Sequence, residues 1–302
     1  MSARFILSFD CEGKWGSADC LTDGHRRDLT DQKLRDAYRA ILTLLDEYGV
    51  EATFAFAGAF SQSPSAFRRL LPDVEVLEKR APAYLGPALW DIEETSGDGW
   101  HGGELVEAVA ASGTPHEIAL HGVTHVPWTQ MDDRFVEDEM RLYQQLEGPV
   151  RNSRTFVYPR NLIAHTAVLS EHGFLGFRNA RSERSRFRSL LSELNLFAQP
   201  DFPGPDDKPI AIPAGYFLNW RSGARRLVPP AVTQLRARLL LQRAAATGAA
   251  VHYWLHPENI ATAPATLDLL KSLIREVARR VDAGDCSVLT QLDYCRSLKL
   301  RP

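Results

Sequence analysis

Cysteine is scarce in this chain. Cys11, Cys20, Cys286 and Cys295 form no Cys-x-x-Cys pair and are too few to staple 302 residues, so a disulfide framework is excluded and they read as thiols. Long apolar runs are absent too. No stretch approaches membrane-spanning length, and no apolar segment with a small-residue cleavage site follows Met1, so the sequence predicts a cytoplasmic protein without a transmembrane segment. An excess of one charge is likewise missing: 35 Lys and Arg stand against 38 Asp and Glu, a formal net charge of -3. Such a balance gives no whole-protein field for nucleic acid or anionic membrane. The one basic stretch, Arg178 to Arg188, holds five arginines relieved by Glu183 and reads as a solvated loop or a contact for an acidic group. Internal repeats and low-complexity tracts are absent.

What the chain has is enough apolar residue, 44%, to bury one large core. Strand-length apolar runs alternate with amphipathic segments. Strands are expected at Arg4–Phe9, Glu51–Ala57, Glu117–Leu120, Arg154–Tyr158, Phe174–Phe177, Ile210–Leu218, Ala250–Leu255 and Ser287–Leu289. Helices are expected at Asp31–Tyr48, Glu104–Ala111, Asp132–Leu146, Thr166–His172, Ala231–Ala246 and Thr266–Asp282. That order argues for parallel β/α units in one domain, residues 1–302. Between Pro72 and Gly103 the alternation lapses, which predicts an insertion or lid, and Gln199–Pro209 reads as a surface loop.

Polar and aromatic residues gather where these strands end. Phe5–Phe9 runs into Asp10, Glu117–Leu120 into His121, Thr155–Tyr158 into Pro159-Arg160-Asn161, Phe217-Leu218 into Asn219-Trp220, and Val251–Leu255 into His256. In a β/α barrel those ends converge on one mouth. Asp10 and Glu12 point the same way at a period of two, and Cys11 the other way. His121 and His125 have the spacing of a two-pronged metal grip, although an isolated pair of this kind is more often two turn histidines. His252 lies deeper and reads as a core histidine.

Taken in order, Ser8-Phe-Asp-Cys-Glu-Gly13, His121-Gly-Val-Thr-His125, Phe156-Val-Tyr-Pro-Arg-Asn161, Asn219-Trp220 and Leu255-His-Pro257 resemble the motifs of the polysaccharide deacetylase family. This is the NodB-homology, carbohydrate esterase family 4 group. The resemblance implies a distorted (β/α) barrel of about seven strands that binds one divalent metal, zinc by default, and removes an N-acetyl group from an amino sugar. It matches the family's metal ligands to Glu12, His121 and His125, its base to Asp10 and its general acid to His256. Cys11 competes with Glu12 as a ligand, since zinc accepts thiolate, but alternation turns it away.

The same resemblance gives the oxyanion donor as the backbone N–H of Arg160. Tyr158, Asn161 and Trp220 are the substrate-facing candidates, with plainer readings beside them: Trp220 as barrel packing, Asn161 as a helix cap, Arg160 as a surface charge. Two positions depart from the family pattern. Val157 stands where an arginine usually orients the base, with Arg160 a possible substitute, and Asn219 stands where an aspartate usually tunes the acid. The leading expectation is a deacetylase of an N-acetylated sugar or glycan precursor. The rivals are a hydrolase of another C–N bond, such as a formamide or cyclic ureide, and an inactive carbohydrate-binding barrel.

Overall fold

The first strand shows why the chain curls as it does. Along β1 (Ala3–Cys11) the odd positions Ala3, Phe5, Leu7, Phe9 and Cys11 join the main apolar core, while the even positions Ile6, Ser8 and Asp10 face the opposite side. One face therefore wants helices, and the other wants an enclosed interior. The computed structural model describes residues 2–181, 193–201 and 208–299. In it β1 pairs in parallel with β2 (Thr53–Phe56) and β8 (Ala250–Leu255), and its first residues also pair with β9 (Cys286–Leu289). The full order is β6-β5-β4-β3-β2-β1-β8-β7, with β3 at Glu117–Leu120, β4 at Thr155–Phe156, β5 at Gly176–Arg178, β6 at Ile210–Ile212 and β7 at Tyr216–Phe217. All of these pairings are parallel, as βαβ connections require.

Helices cover the outer face. Asp31–Tyr48 starts where the Thr30 hydroxyl caps the Lys33 N–H, and it buries Leu34, Tyr38, Ile41 and Leu45 against the sheet. The interior is layered. At the N-terminal end Ile6, Ile210, Ile212 and Ala250 pack with Tyr294 and Cys295 of the Gln291–Lys299 helix, which plugs the floor. Above them Ala55, Ala119 and Val157 form a small-residue layer. The polar set Ser8, Asp10, Arg178 and His252 lies beyond, all buried.

Among the described residues the sheet is thus the open, distorted (β/α) barrel that was expected, with eight strands in one path and a ninth beside β1 rather than about seven. The Ile210–Leu218 strand is two short strands, and the Phe174–Phe177 strand is shifted to end on Arg178. Residues 72–103 are mostly helical: Pro64–Glu78 and Pro82–Glu94 carry Pro72 and Pro87 inside them, which is why they read as an irregular stretch. Of the expected loop Gln199–Pro209, Asp201 bridges Ala250 and residues 202–207 lie outside the described residues, as do residues 182–188 of the basic stretch. Among the described residues no helix is long and apolar enough to cross a membrane.

Candidate active site

Two strand ends, those of β1 and β3, bring together Glu12, His121 and His125, whose ligand atoms lie within 4.8 Å of one another. His121 follows β3 directly, its backbone N–H bonded to Phe56 O, and its Nδ1 sits 2.9 Å from Val157 O. A carbonyl can only accept, so Nδ1 carries the hydrogen and the Nε2 lone pair faces Glu12. The loop then turns through Gly122 at φ +65°, where a Cβ would meet Pro159 at 2.8 Å. His125 itself adopts φ +59°, an uncommon backbone for a non-glycine residue. Glu139 holds this loop from behind: its buried carboxylate takes the Thr124 N–H at 2.7 Å and the indole N–H of Trp128.

These donors fit a divalent metal. His125 Nε2 lies 2.8 Å from Glu12 Oε2, yet it is buried and makes no properly directed hydrogen bond. A nitrogen that close to a carboxylate but not aimed along it fits a lone pair directed at a shared centre. Burial pushes the His125 imidazole below its ordinary range against the pull of Glu12, which favours the neutral, ligating form. Cys11 is buried on the outer face with its thiol against Phe9 O, so the alternation argument holds and it stands outside the cluster. Room for the Glu12 carboxylate comes from Gly16, where a Cβ would lie 2.0 Å from Oε1. Behind Glu12, Glu258 Oε1 accepts the Glu12 and Gly13 N–H groups at 3.2 and 2.5 Å. Burial, with the Glu12 charge nearby, pushes the Glu258 carboxyl up to about 8.

Asp10 is held by Arg178, which reasoning from the sequence missed. The guanidinium grips both Asp10 oxygens at 2.6 Å, reaches Asn161 Oδ1 at 2.8 Å and lies over the Trp254 ring at 4.6 Å. Burial alone would raise the Asp10 pKa, but Arg178 outweighs it and holds the carboxyl below its usual range. Arg160 is not the substitute for the arginine missing at Val157. Its side chain pairs with Asp19 and covers Tyr84, because residue 160 turns outward in a left-handed conformation (φ +56°, ψ +19°). Asn161 is a bridge to Arg178 rather than an open contact. Tyr158 is also displaced from its expected place: its ring is fully buried against Trp128, Phe156 and Phe177. Trp220 is half-buried beside the mouth strands, with its indole nitrogen buried.

Opposite Asp10 stands His256, Nε2 4.0 Å from Asp10 Oδ2 and 3.6 Å from Glu12 Oε1. Asn259 Oδ1 accepts the His256 backbone N–H at 3.1 Å and lies 3.2 Å from its Nδ1. Nδ1 therefore carries a hydrogen, and Nε2 is the nitrogen that faces the cavity. Asn219 does not take part: it is buried and donates to Arg225 O. Lower in the barrel His252 is a core histidine, Nδ1 bonded to Pro213 O at 2.7 Å and Nε2 accepting Ser8 at 2.8 Å, and burial beside Arg178 pushes it down to about 3.

Residues 28–178, half of the chain, match the family model described as polysaccharide deacetylase. The chain belongs to the polysaccharide deacetylase family. Comparison with curated proteins gives no match. Among solved structures, a protein from Mycobacterium smegmatis described as a polysaccharide deacetylase is 17% identical with a TM-score of 0.62, covering 100% of this chain and 92% of that one. Puue allantoinase is 14% identical with a TM-score of 0.55, covering 97% of this chain and 89% of that one. Both likenesses place this polysaccharide deacetylase chain in the same barrel fold.

Proposed function

We propose that the chain is a metal-dependent hydrolase that removes the N-acetyl group of an amino sugar or glycan precursor. The observation that carries this reading is the opposition of Asp10, gripped by Arg178, and His256, with the Glu12–His121–His125 donors beside both. Glu12, His121 Nε2 and His125 Nε2 would hold one divalent ion, zinc by default for two imidazoles and a carboxylate. When bound, such an ion supplies a water acidic near neutral pH and polarises the substrate carbonyl.

The chain's own groups do the rest. Asp10, kept as a carboxylate by Arg178, accepts the proton of the attacking water. His256 faces the departing nitrogen and delivers a proton to it from Nε2, its ring orientation fixed by Asn259. The backbone N–H of Arg160 is the donor proposed for the oxygen on which charge develops. Trp220, with Phe217 and Trp254 around His256, gives apolar surface for the acetyl methyl and sugar ring; the Phe217 and Trp254 rings lie 6.1 and 5.7 Å from His256. The 72–103 stretch of this single domain serves as an insertion that braces the turn after Glu12. Gly99 O accepts the Lys14 N–H, and Asp91 meets the Lys14 ammonium at 3.6 Å.

The test is acetate release from a panel of N-acetylated sugars by protein whose metal content has been assayed. Acetate in proportion to bound metal supports the reading; none from metal-loaded protein across the panel overturns it. The fold shared with Puue allantoinase makes a cyclic ureide the second substrate class for the same panel.

A further inference from the structure

Glu258 is a buried carboxyl to which the proposed reaction gives no task. It lies in the first turn of the Pro257–Thr262 helix, two residues after His256, and reaches back to the end of β1. Its Oε1 takes two consecutive backbone N–H groups, those of Glu12 and Gly13, at 3.2 and 2.5 Å, while its Oε2 is buried with no hydrogen-bond partner. A carboxyl oxygen left unpaired in the interior costs stability, and an apolar side chain of similar size would avoid that cost. Glu258 is therefore poorly explained as a prop for the fold alone.

Its placement suggests another role. Glu12 comes from β1 and His256 from β8, and nothing in either side chain bonds one to the other; Glu12 Oε1 and His256 Nε2 are 3.6 Å apart without a hydrogen bond between them. The helical turn that fixes His256 through Asn259 also carries Glu258, so one short segment grips the backbone of Glu12 and orients the imidazole. We propose that Glu258 is a positioning residue that sets the Glu12 carboxylate against His121, His125 and His256 by accepting the Glu12 and Gly13 N–H groups on one oxygen. This inference rests on the metal site proposed above.

The experiment is zinc affinity by chelator competition on folded wild-type, Glu258→Gln and Glu258→Ala protein, with thermal unfolding alongside. Gln keeps an acceptor at the Oε1 position and should bind zinc within about threefold of wild type, whereas Ala should bind about 10- to 100-fold more weakly, the usual effect of losing an outer partner of a metal ligand. Should Ala not fold, Glu258→Met keeps length and volume without either oxygen, and the same loss is expected. Wild-type affinity in Ala or Met overturns the proposal, as does a Gln variant as weak as Ala. Failure of both Ala and Met to fold beside a folded Gln variant makes Glu258 a requirement of the fold and overturns its role at the site. If wild type itself binds no zinc, the metal reading fails first, and this inference with it.

Discussion

Asp10 and Glu117 are both buried carboxylates inside the same barrel, and they are held in opposite ways. Asp10, at the C-terminal end of β1, faces a guanidinium that grips both of its oxygens. Glu117, at the N-terminal end of β3, faces only neutral donors: the Thr53 hydroxyl at 2.7 Å, the Thr155 hydroxyl at 2.5 Å and the Leu292 N–H at 2.9 Å. Burial raises the pKa of Glu117 against its hydrogen bonds, while Arg178 overcomes burial at Asp10 and lowers it. One end of the barrel is built to tie β2, β3, β4 and the C-terminal helix together. The other is built to keep a charge.

Removing the partner at the charged end should have the largest effect. Arg178→Ala leaves Asp10 buried and unpaired, which costs stability by about 3–5 kcal/mol, measured by urea unfolding. In the protein that remains folded, kcat/KM on any substrate that releases acetate should fall about 10²- to 10⁴-fold, the range a positioned acid or base contributes. Arg178→Lys should recover only part of this, since an ammonium cannot grip two oxygens as a planar fork does. A fall of less than tenfold in Arg178→Ala would show that Asp10 needs no guanidinium, and the contrast between the two ends would collapse.

A smaller effect is expected from a single methyl group near Glu12. A Cβ at Gly16 falls 2.0 Å from Glu12 Oε1, and Gly16 does not have the positive φ that would disfavour alanine. The Glu12 side chain is flexible, so the protein can absorb Gly16→Ala by turning the carboxylate aside. Stability should change by no more than about 1 kcal/mol, within the usual range for a mild substitution. Zinc affinity should nonetheless fall about 10- to 100-fold, because turning Oε1 aside also moves Oε2, the oxygen beside His121 and His125 in the proposed ligand set. Calorimetry and chelator competition on the same sample separate the two effects, and unchanged affinity would remove Glu12 from the ligand set.

How much of this was legible in the sequence follows from where the information lies. Asp10, Glu12, His121 and His256 sit just after apolar runs long enough to mark strands, so period and position located them, and the ordered motifs supplied the roles proposed for them. Arg178 also marks the C-terminal end of a strand, but that strand, Gly176–Arg178, has three residues, and Arg178 opens a run of arginines that reads as solvated. Only the structure shows that a Cβ on Gly176 would meet Cys295 and Ile212, so that Gly176, and with it Arg178 two residues on, faces the interior of the barrel. Tyr158 failed for the complementary reason, since an aromatic residue after a strand suits a mouth and a core equally, and only packing against Trp128 and Phe177 decides. Asn259 and Glu258 act through a helical turn formed after His256, and contacts of that kind have no periodic signature. The helices over 72–94 were hidden by Pro72 and Pro87, whose cost to a helix is met here by burial of Leu70, Val74, Leu77, Leu85 and Ala88.

The smallest predicted effect tests the other end of the comparison. Glu117 has a folded pKa above its ordinary value of 4.5, so the folded protein holds a proton there that the unfolded chain releases first. Its contribution to stability is then fully present below about pH 4.5 and is lost as pH rises through the folded value, with a slope of at most about 1.4 kcal/mol per pH unit for one proton. Glu117→Gln removes that titration while keeping one acceptor for Thr53 and Leu292, and its amide can donate to the Thr155 hydroxyl. Urea unfolding across pH 4 to 8 should therefore show a variant whose stability falls less steeply than wild type as pH rises, with zinc affinity unchanged. A parallel pair of stability curves would mean that Glu117 is as well matched to its charge as Asp10 is, and that the two ends of the barrel do not differ in the way their donors imply.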